Sequence, residues 1–328
     1  MVRGHQLVSV VVVNYNGRHF LGDCLGALER QTVPRHRYEI LLIDNASCDG
    51  SAEFVRSQFP GVRFVQAGAN LGFTGANNLG FRMARGRHVV VLNNDTRPEP
   101  GWLAALVAAA QGERVGGATS RVVFRDEPGL VNSTGLVLYR DGRGGDRDLR
   151  QPDGPAVRRP SEVFGGSGVS LLLTRELLDD VGGFDPRLFM YYEDLDLAWR
   201  ARLRGWRFVY APDSVVYHVC GGSAGAASPL LLRQVERNRA LVCLWNAQPF
   251  LAVWAAVGLL LRAGRLLWRY TRDGDRPGQT AAHLRAMAAA VASVVIRLPQ
   301  ALLGRYRTRV ERRRCRDRAI TQFVRPHP

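Results

Sequence analysis

Lysine is absent from the 328-residue sequence, so all 45 basic side chains are arginine. A GC-rich genome would account for arginine in place of lysine, but not for where the arginines lie. Nineteen arginines and only five acidic residues fall between Leu230 and Pro328, for a net charge of +14, whereas the remaining residues carry +2. A strongly basic tail on a nearly neutral body indicates two separate roles.

Cysteine is also scarce: five residues lie far apart, with no C-x-x-C pair. This spacing predicts neither a disulfide framework nor a zinc knuckle, and it favours a reducing cytosol. Only a short polar segment precedes the first apolar run, and it lacks the cleavage site of a secretory signal, so we expect none. With 46% hydrophobic and 23% charged residues, the composition excludes disordered, collagen-like and polytopic membrane chains.

The first hundred residues alternate short apolar runs with segments of helical spacing. Apolar runs predict strands at 7–13, 38–43, 62–65 and 88–92, and helical spacing predicts helices at 19–31, from Ser51 onward and at 75–85. Strands and helices that alternate at this distance indicate parallel βαβ units with right-handed crossovers.

The middle of the chain is less regular. A strand is predicted over 131–139, a loop rich in Gly, Arg, Asp and Pro over 141–160, a strand over 169–173, a helix over 193–204, and two short strands over 208–211 and 214–217. The glycine cluster at 164–168 is not a phosphate loop, because no Gly-Lys-Ser/Thr follows it. We expect it to allow close backbone approach to a ligand or another strand.

Polar residues follow three of the predicted strands. These are Asn14-Tyr15-Asn16, Asp44-Asn45 and Asn93-Asn94-Asp95. In a parallel sheet, ligands bind beyond the carboxyl ends of the strands. Turn formation could explain each segment alone, but three coinciding segments favour a binding site.

Two acids at this edge could contact a bound nucleotide. Asp95 could ligate a hard divalent cation that neutralises a diphosphate, or it could form a turn or cap before Pro98. Asp44 could accept hydrogen bonds from a base or ribose, or it could form an Asx-turn with Ser47.

A second pair of acids, Glu193 and Asp194, begins the predicted helix over 193–204. A carboxylate at that position either caps free backbone amides or serves as a fixed general base. Adjacent helical residues point about 100° apart, so at most one of the two faces a reacting group, and we favour Asp194. His218, at the end of the last strand, is either a hydrogen-bonded structural residue or a metal ligand.

In order along the chain, these residues resemble the motifs of the family 2 glycosyltransferases, and most of all the bacterial rhamnosyltransferase-like branch. The resemblance covers about residues 7–225 and extends to Arg237-Asn238-Arg239. It is carried by Asn14-Tyr15-Asn16, Asp44-Asn45-Ala46-Ser47, Asn70-Leu71-Gly72-Phe73, Asn93-Asn94-Asp95-Thr96, Gly183-Phe184-Asp185, Tyr192-Glu193-Asp194-Leu195-Asp196 and His218.

The resemblance implies an α/β GT-A fold: a mostly parallel central sheet flanked by helices in a catalytic domain at 1–229, followed by a basic helical extension at 230–328. Its implied nucleotide-binding residues are Asn14, Tyr15, Asn16, Asp44, Asn70, Gly72, Asn77 and Asn94. It further implies Asp194 as the catalytic base with Glu193 beside it, and Asp95 and His218 as ligands of Mg²⁺ or Mn²⁺. Asn93 occupies the first position of the family's D-x-D metal motif, so strict metal dependence is not implied.

The implied reaction is inverting transfer of L-rhamnose or another hexose from a nucleotide-diphosphate donor to a glycan or lipid-linked acceptor of the cell envelope. One alternative is a nucleotidyltransferase, which would need a glycine-rich signature with basic residues near the N-terminus. The segment 14–17 lacks that signature. The other alternative is a non-catalytic membrane-associated binding protein, against which the joint retention of Asp44, Asp95, Asp194 and His218 argues.

The basic tail contains two apolar segments. Residues 250–261 form a run of twelve, short of the roughly 20 needed to cross a bilayer. Residues 281–303 are interrupted by His283, Arg285 and Arg297. We predict helices in the membrane interface, on the cytoplasmic face of the inner membrane, with a helical subdomain packed on the body as the alternative. Nucleic-acid binding by the arginine-rich segment 305–318 is not expected, because no recognition motif accompanies it.

Overall fold

The computed structural model describes residues 8–219, 228–273, 281–306, 308 and 318–326. Its strands are β1 (Val8–Asn14), β2 (Tyr38–Asp44), β3 (Arg63–Gln66), β4 (His88–Asn93), β5 (Thr96–Pro98), β6 (Val115–Phe124), β7 (Val131–Ser133), β8 (Leu136–Tyr139), β9 (Gly144–Asp146), β10 (Ser161–Val163), β11 (Ser170–Thr174), β12 (Arg207–His218) and β13 (Val324–Arg325). Its α-helices are α1 (Arg18–Glu29), α2 (Ser51–Gln58), α3 (Gly72–Met83), α4 (Trp102–Ala109), α5 (Arg175–Val181), α6 (Glu193–Leu203), α7 (Pro229–Asn246), α8 (Pro249–Asp273), α9 (Ala281–Ile296), α10 (Leu298–Tyr306) and α11 (Arg318–Thr321).

The central sheet runs in the order β10-β12-β6-β11-β4-β1-β2-β3. The four N-terminal strands are parallel, as their βαβ spacing predicts, and Asn14 at the end of β1 pairs with Asp44 at the end of β2. Strand β11 enters antiparallel between β4 and β6, so the complete sheet is mixed. The carboxyl ends of β1, β2 and β4 therefore share one edge.

Several predicted elements differ from the observed ones. The strand predicted over 131–139 is two strands, β7 and β8, because Gly135 takes a left-handed φ of 122° between them. The loop predicted over 141–160 contains β9, which pairs with β8. The two short strands predicted at 208–211 and 214–217 are one strand, β12, with an irregularity between Ala211 and Val215. Helices α4 and α5 and strand β6 have no counterpart in the sequence prediction.

Two hydrophobic layers enclose the sheet. On one face, alternate residues of β1, such as Val10 and Val12, belong to one core cluster with Leu21 and Leu25 of α1. On the other face, Val11 lies in a cluster that includes residues of α6 and α7. Because successive side chains of a strand point to opposite faces, the unbroken apolar run of β1 serves both layers.

The C-terminal helices pack on this second layer. Helix α7 begins at Pro229, the predicted domain boundary, and buries residues 240–245 in the same core cluster as Leu195 of α6. The Asn246 amide donates to Asp196 Oδ1 at 2.7 Å, which ties α7 to α6. Arg305 of α10 donates to the carbonyl oxygen of Ala247 at 2.7 Å. The arginine-rich segment 305–318 lies mostly outside the described residues.

Helix α8 is longer than the apolar run at 250–261 predicts. Residues 249–272 are long and apolar enough to cross a membrane by length and composition, and 17% of the apolar window is buried. Helices α9 and α10 pass the same test only as a pair, bent by 54°. Length and composition alone do not distinguish a helix that spans a bilayer from one that lies on it.

Close packing of α3 on β1 depends on Gly80. A Cβ at this position would lie 2.4 Å from Val11 Cγ1. We predict that Gly80→Ala lowers the free energy of unfolding by about 1–3 kcal/mol, the usual cost of overpacking a core, measured by urea denaturation. Gly264→Ala is the control, because a Cβ there meets nothing within 4 Å in α8. The Val11→Ala background relieves the clash, so Gly80→Ala should cost less there. If Gly80→Ala lowers the free energy of unfolding equally in that background, the packing argument is wrong.

Candidate active site

The side chain of Asn14 joins the ends of β1, β2 and β4. It is fully buried, and its amide nitrogen lies 3.1 Å from Asp44 Oδ1, 3.1 Å from Ser47 Oγ and 2.9 Å from Ser51 Oγ. Its carbonyl oxygen accepts a hydrogen bond from the Asn94 amide at 2.8 Å. An amide group both donates and accepts, so one side chain can connect three strand ends. The polar residues predicted at this edge therefore form one network.

Asp44 lies at the floor of this network, with 1% of its surface exposed. Its Oδ2 accepts from the backbone N–H of Ser47 at 3.0 Å, so the Asx-turn considered from the sequence is present. The same oxygen accepts from the Gln66 side chain at 2.8 Å. Gln66 is absent from the predicted site, although it ends β3 as Asp44 ends β2. The rule that polar residues at strand ends mark the site would have found it.

Asn45 connects this edge to the start of α3. Its Nδ2 donates to Asn70 Oδ1 at 2.9 Å, and its Oδ1 accepts from the backbone N–H of Leu71 at 2.8 Å. Asn70 in turn accepts from the N–H of Gly72 at 2.9 Å. Gly72 has φ +69°, and a Cβ there would lie 2.5 Å from the Phe189 carbonyl oxygen. Asn70 and Gly72 thus form a wall beside the strand ends.

The other predicted nucleotide-binding residues lie at different depths. Tyr15 is 53% exposed, and Asn16, at φ 52°, accepts from the backbone N–H of Cys48 at 2.9 Å. Asn77 is fully buried within α3 and donates to the Phe73 carbonyl oxygen at 2.9 Å. Its own Oδ1 is buried without a hydrogen-bond partner.

Asp95 and His218 meet where β4 and β12 end. His218 Nε2 lies 3.3 Å from Asp95 Oδ1, yet this oxygen is buried and has no hydrogen-bond partner. His218 Nδ1 lies 2.8 Å from Asn132 Oδ1. With the Asn132 amide oxygen as acceptor, His218 Nδ1 is the donor, and in that tautomer Nε2 presents a lone pair toward the carboxylate. Two electron-pair donors that face each other suit a cation between them.

The part of the chain that the structure describes contains no cluster of three or more His, Cys, Asp or Glu side chains that could hold a metal ion. The predicted ligand pair, Asp95 and His218, is therefore a two-residue site. Mg²⁺ and Mn²⁺ at phosphate sites commonly take one or two protein ligands and complete their shell with phosphate oxygens and water. The donor set fits such a cation, provided that a diphosphate binds with it.

Asp194 is partly buried in the first turn of α6. Its Oδ2 accepts from the backbone N–H of Gly168 at 3.0 Å, and its Oδ1 accepts from the N–H of Leu195 at 2.8 Å. Loss of hydration raises the pKa of Asp194 to about 6, helped by the nearby charge of Asp146, while the Gly168 N–H opposes this shift. The glycine cluster at 164–168 thus does bring backbone close to a functional group, as its composition predicts.

Glu193 and Asp146 are further buried acids beside Asp194. Burial raises the pKa of Glu193 well above its ordinary value, and its Oε2 has no hydrogen-bond partner. Burial also raises the pKa of Asp146, whose Oδ1 is likewise without a partner. Asp146 belongs to β9, within the segment predicted as a loop, and no local sequence pattern marks it as a site residue. Buried acids with raised pKa values that cluster at one place are common at catalytic sites.

Hydrogen bonds connect the strand-end network around Asn14, the Asp95–His218 pair and Asp194. The N–H of Gly168 donates to Asp194. Val169, the residue after Gly168, accepts from the N–H of Asn93 at 3.1 Å. Asn94, the residue after Asn93, donates to Asn14. Asp194 and Asp95 therefore lie on the same side of the molecule. Asn14, Asp44, Asp95, Asp194 and His218 surround one region at the carboxyl edge of the sheet.

Sequence comparison now identifies the family. The profile described as "Glycosyltransferase like family 2" matches residues 5–238, well over half of the chain. The chain belongs to the family 2 glycosyltransferases. It is an enzyme that transfers a sugar from a nucleotide-sugar donor, and the predicted resemblance is confirmed.

Relatives of this glycosyltransferase include a Mycobacterium tuberculosis protein named N-acetylglucosaminyl-diphospho-decaprenol L-rhamnosyltransferase. It is 34% identical over 242 residues, which cover 67% of this chain and 78% of that protein. Glycosyltransferase AglE of Haloferax volcanii is 24% identical over 283 residues, 83% of this chain and 86% of that one.

Two solved structures share the fold of this glycosyltransferase. Mannosyltransferase PcManGT from Pyrobaculum calidifontis, in complex with GDP-Man and Mn²⁺, has a TM-score of 0.53 and 21% identity, covering 89% of this chain and 86% of that one. GalNAc-T7 with UDP, GalNAc and Mn²⁺ has a TM-score of 0.62 and 15% identity, covering 93% of this chain and 59% of that one. The predicted GT-A fold with a helical C-terminal extension is confirmed.

Proposed function

We propose that this glycosyltransferase moves L-rhamnose, or another hexose, with inversion from a nucleoside diphosphate to a lipid-linked or glycan acceptor of the cell envelope. The observation that carries the proposal is the placement of Asp194: an acid with its pKa raised to about 6, held on the same edge of the sheet as the Asp95–His218 pair. The named activity of the mycobacterial relative supports rhamnose and a lipid diphosphate acceptor.

Asp194 would accept the proton of the acceptor hydroxyl as that oxygen attacks the anomeric carbon. The Gly168 and Leu195 N–H groups each bond one oxygen of its carboxylate, which fixes the orientation and leaves further lone pairs free to accept a proton. With a pKa near 6, the carboxylate is mostly ionised at neutral pH and remains basic enough to be effective. Burial and the neighbouring Asp194 raise the pKa of Glu193 well above its ordinary value, which favours the protonated form of this second acid.

The nucleoside diphosphate would lie against the strand-end network. Asn14, Asn16, Asp44 and Asn94 would line its base and ribose, with Tyr15 on the exposed rim and Asn70, Gly72 and Asn77 on the α3 side. The side chains of this network are buried and hydrogen-bonded to one another, which limits the conformational entropy that they can lose on binding a nucleotide. Asp95 and His218 would hold Mg²⁺ or Mn²⁺, whose charge stabilises the diphosphate leaving group.

Replacing Asp194 tests the base. We predict that Asp194→Asn lowers kcat by about 100- to 10,000-fold, the usual contribution of general-base catalysis, while affinity for the nucleotide is kept. In the wild type, kcat should rise with pH through a midpoint near 6, because only the ionised carboxylate accepts a proton. The rate is measured as nucleoside diphosphate released from dTDP-L-rhamnose, with polyprenyl-diphospho-N-acetylglucosamine as acceptor.

The matched control is Glu193→Gln, which should retain activity to within about tenfold, because a protonated glutamic acid and a glutamine are both neutral. Near-normal turnover by the Asp194 variant would show that another group takes the proton. Release of pyrophosphate rather than nucleoside diphosphate would indicate a nucleotidyltransferase.

The two-residue cation site predicts that metal binding depends on the nucleotide. Mn²⁺ should bind weakly to the protein alone and much more tightly with UDP or dTDP present, because the phosphates complete the shell. Asp95→Asn and His218→Ala should each lower that affinity by at least about tenfold, as loss of even an outer-shell partner does. Titration of free Mn²⁺ by electron paramagnetic resonance measures this. The exposed Asp126→Asn is the control, and unchanged affinity in both site variants would exclude the assignment.

Helix α8 presents an apolar face outward. Its exposed members are spaced three and four residues apart and are Phe250, Val253, Trp254, Val257, Leu260, Leu261, Leu267 and Trp268. The opposite face packs inward through Ala252, Ala255 and Leu259. Exposed Arg265, Arg269 and Arg272 follow at the C-terminal end. Apolar and tryptophan side chains next to arginines fit the interface of an anionic bilayer, so we propose peripheral attachment to the cytoplasmic face of the inner membrane.

Vesicle binding tests this attachment. We predict co-sedimentation with phosphatidylglycerol vesicles that weakens as salt is raised, because arginine attraction to anionic lipid is screened. Trp254→Glu combined with Leu261→Glu should lower binding at least about tenfold. Leu149→Glu is the matched control, because Leu149 is 49% exposed on the catalytic body. Equal binding by all three proteins would exclude α8 as the contact surface.

A further inference from the structure

The backbone just before the base has a rare conformation. Phe189, Tyr191 and Tyr192 have φ of 65°, 68° and 71°. Residues other than glycine seldom adopt this left-handed backbone conformation, and such a turn persists only where contacts with its surroundings stabilise it. We call residues 189–192 the left-handed turn. It leads directly into α6, where the Tyr192 carbonyl oxygen accepts the helical bond from Asp196 at 2.9 Å.

One side chain from the C-terminal extension holds this turn. Asn238 of α7 is fully buried, and its Nδ2 lies 2.9 Å from the Leu188 carbonyl oxygen, 2.8 Å from that of Met190 and 2.7 Å from that of Tyr191. Its Oδ1 accepts from Arg237 Nε at 2.8 Å, which orients the amide so that the nitrogen faces the turn. Two amide hydrogens therefore serve three carbonyl groups.

The opposite side of the turn contacts the wall that Asn70 and Gly72 form at the start of α3. The Phe189 carbonyl oxygen accepts from the N–H of Thr74 at 3.0 Å, and Gly72 allows Phe189 to pack against the start of α3. The left-handed turn is thus held between α3 and α7. A buried carbonyl group that loses its donor costs stability. Arg237 shares the Leu188 carbonyl oxygen at 2.8 Å, whereas Asn238 donates to the carbonyl groups of Met190 and Tyr191 inside the turn.

We propose that Asn238 is a positioning residue for Asp194. By fixing the left-handed turn, its amide sets where α6 begins and so keeps the Asp194 carboxylate on the Gly168 N–H. The proposal rests on the role of Asp194 as the base. It makes the C-terminal extension a part of the catalytic apparatus, in addition to any contact with a membrane.

Kinetics test this role with graded variants. Asn238→Asp keeps the size and removes both donors, Asn238→Ala removes the group, and Asn238→Ser keeps one donor. We expect kcat to fall about 10- to 100-fold in the Asp and Ala variants and less in the Ser variant, because a displacement of about 1 Å is enough to misplace a base. The dissociation constant for UDP or dTDP with Mn²⁺ should change less than kcat, because the turn contacts the nucleotide site at Gly72 but makes no hydrogen bond to the Asn14–Asp44 network.

The matched control is Asn246→Ala. Asn246 is a buried amide on the same helix and also bonds α6, but at Asp196 rather than at the turn. It should lower thermal stability without the loss of kcat. If Asn246→Ala and Asn238→Ala lose kcat equally at matched stability, the effect is general destabilisation and the positioning role is wrong.

Hydrogen exchange tests the same role without any sugar substrate. The backbone N–H groups of Thr74 and Gly168 are held by Phe189 and Asp194. Both should exchange at least about tenfold faster in Asn238→Ala than in Asn246→Ala. Unchanged exchange at Gly168 would overturn the positioning role even if the enzyme proved active. If exchange is faster in Asn238→Ala but the Asp194→Asn variant is fully active, Asn238 still fixes the left-handed turn and only the base assignment is rejected.

Discussion

The hydrogen bond from the Gly168 N–H to Asp194 Oδ2 brings the two halves of the site together. Gly168 precedes β11, and Asp194 lies in the first turn of α6, so this 3.0 Å contact joins the sheet edge that carries Asp95 to the helix that carries the proposed base. A Cβ at residue 168 would lie in van der Waals contact with the Phe73 ring, at 3.4 Å, and with this carboxylate, at 3.6 Å. Charge-assisted bonds of this kind are among the stronger ones in proteins, and here the bond also limits the rise in the Asp194 pKa.

The surroundings of that bond divide the acids by function. Glu193 and Asp146 are buried with oxygens that lack partners, and their pKa values rise because the charged form loses hydration. Asp194 is held by two backbone N–H groups, which oppose the rise in its pKa. On the other side, Asp44 is bonded at both oxygens and is suited to recognition. The local environment thus separates the roles of chemically similar side chains.

The C-terminal extension is built into the catalytic body rather than appended to it. Helix α7 contributes to the core beneath α6, and Asn238 and Asn246 bond the turn and helix that present Asp194. Helix α8 is next in the chain and turns its apolar face away from that core. Asn238, which holds the turn before the proposed base, and the apolar surface proposed to contact lipid therefore lie on the consecutive helices α7 and α8. This arrangement would place the active site near a membrane-linked acceptor.

Much of this arrangement follows from local patterns. The apolar runs of β1, β2 and β4, each ended by Asn or Asp, are sufficient to predict parallel strands with polar groups at one edge, because strand period and crossover handedness are local rules. The motifs from Asn14 to His218 are sufficient to identify the glycosyltransferase family. The composition of the segment over 141–160 predicts a loop, because Gly and Asp have low strand propensity, and β9 forms only by pairing with β8.

Residue order along the chain thus determined the fold family, the strand-end residues and the choice of Asp194 and Asp95 as functional acids. Only the tertiary structure decided that Asp146 lies near Asp194, that Asn132 contacts His218, and that Asn238, 44 residues after Asp194, holds the turn before it. The reason is physical. Propensity and periodicity act over a few residues, whereas the pKa of a carboxylate and the conformation of a left-handed turn depend on groups that are brought together only when the helices pack on the sheet.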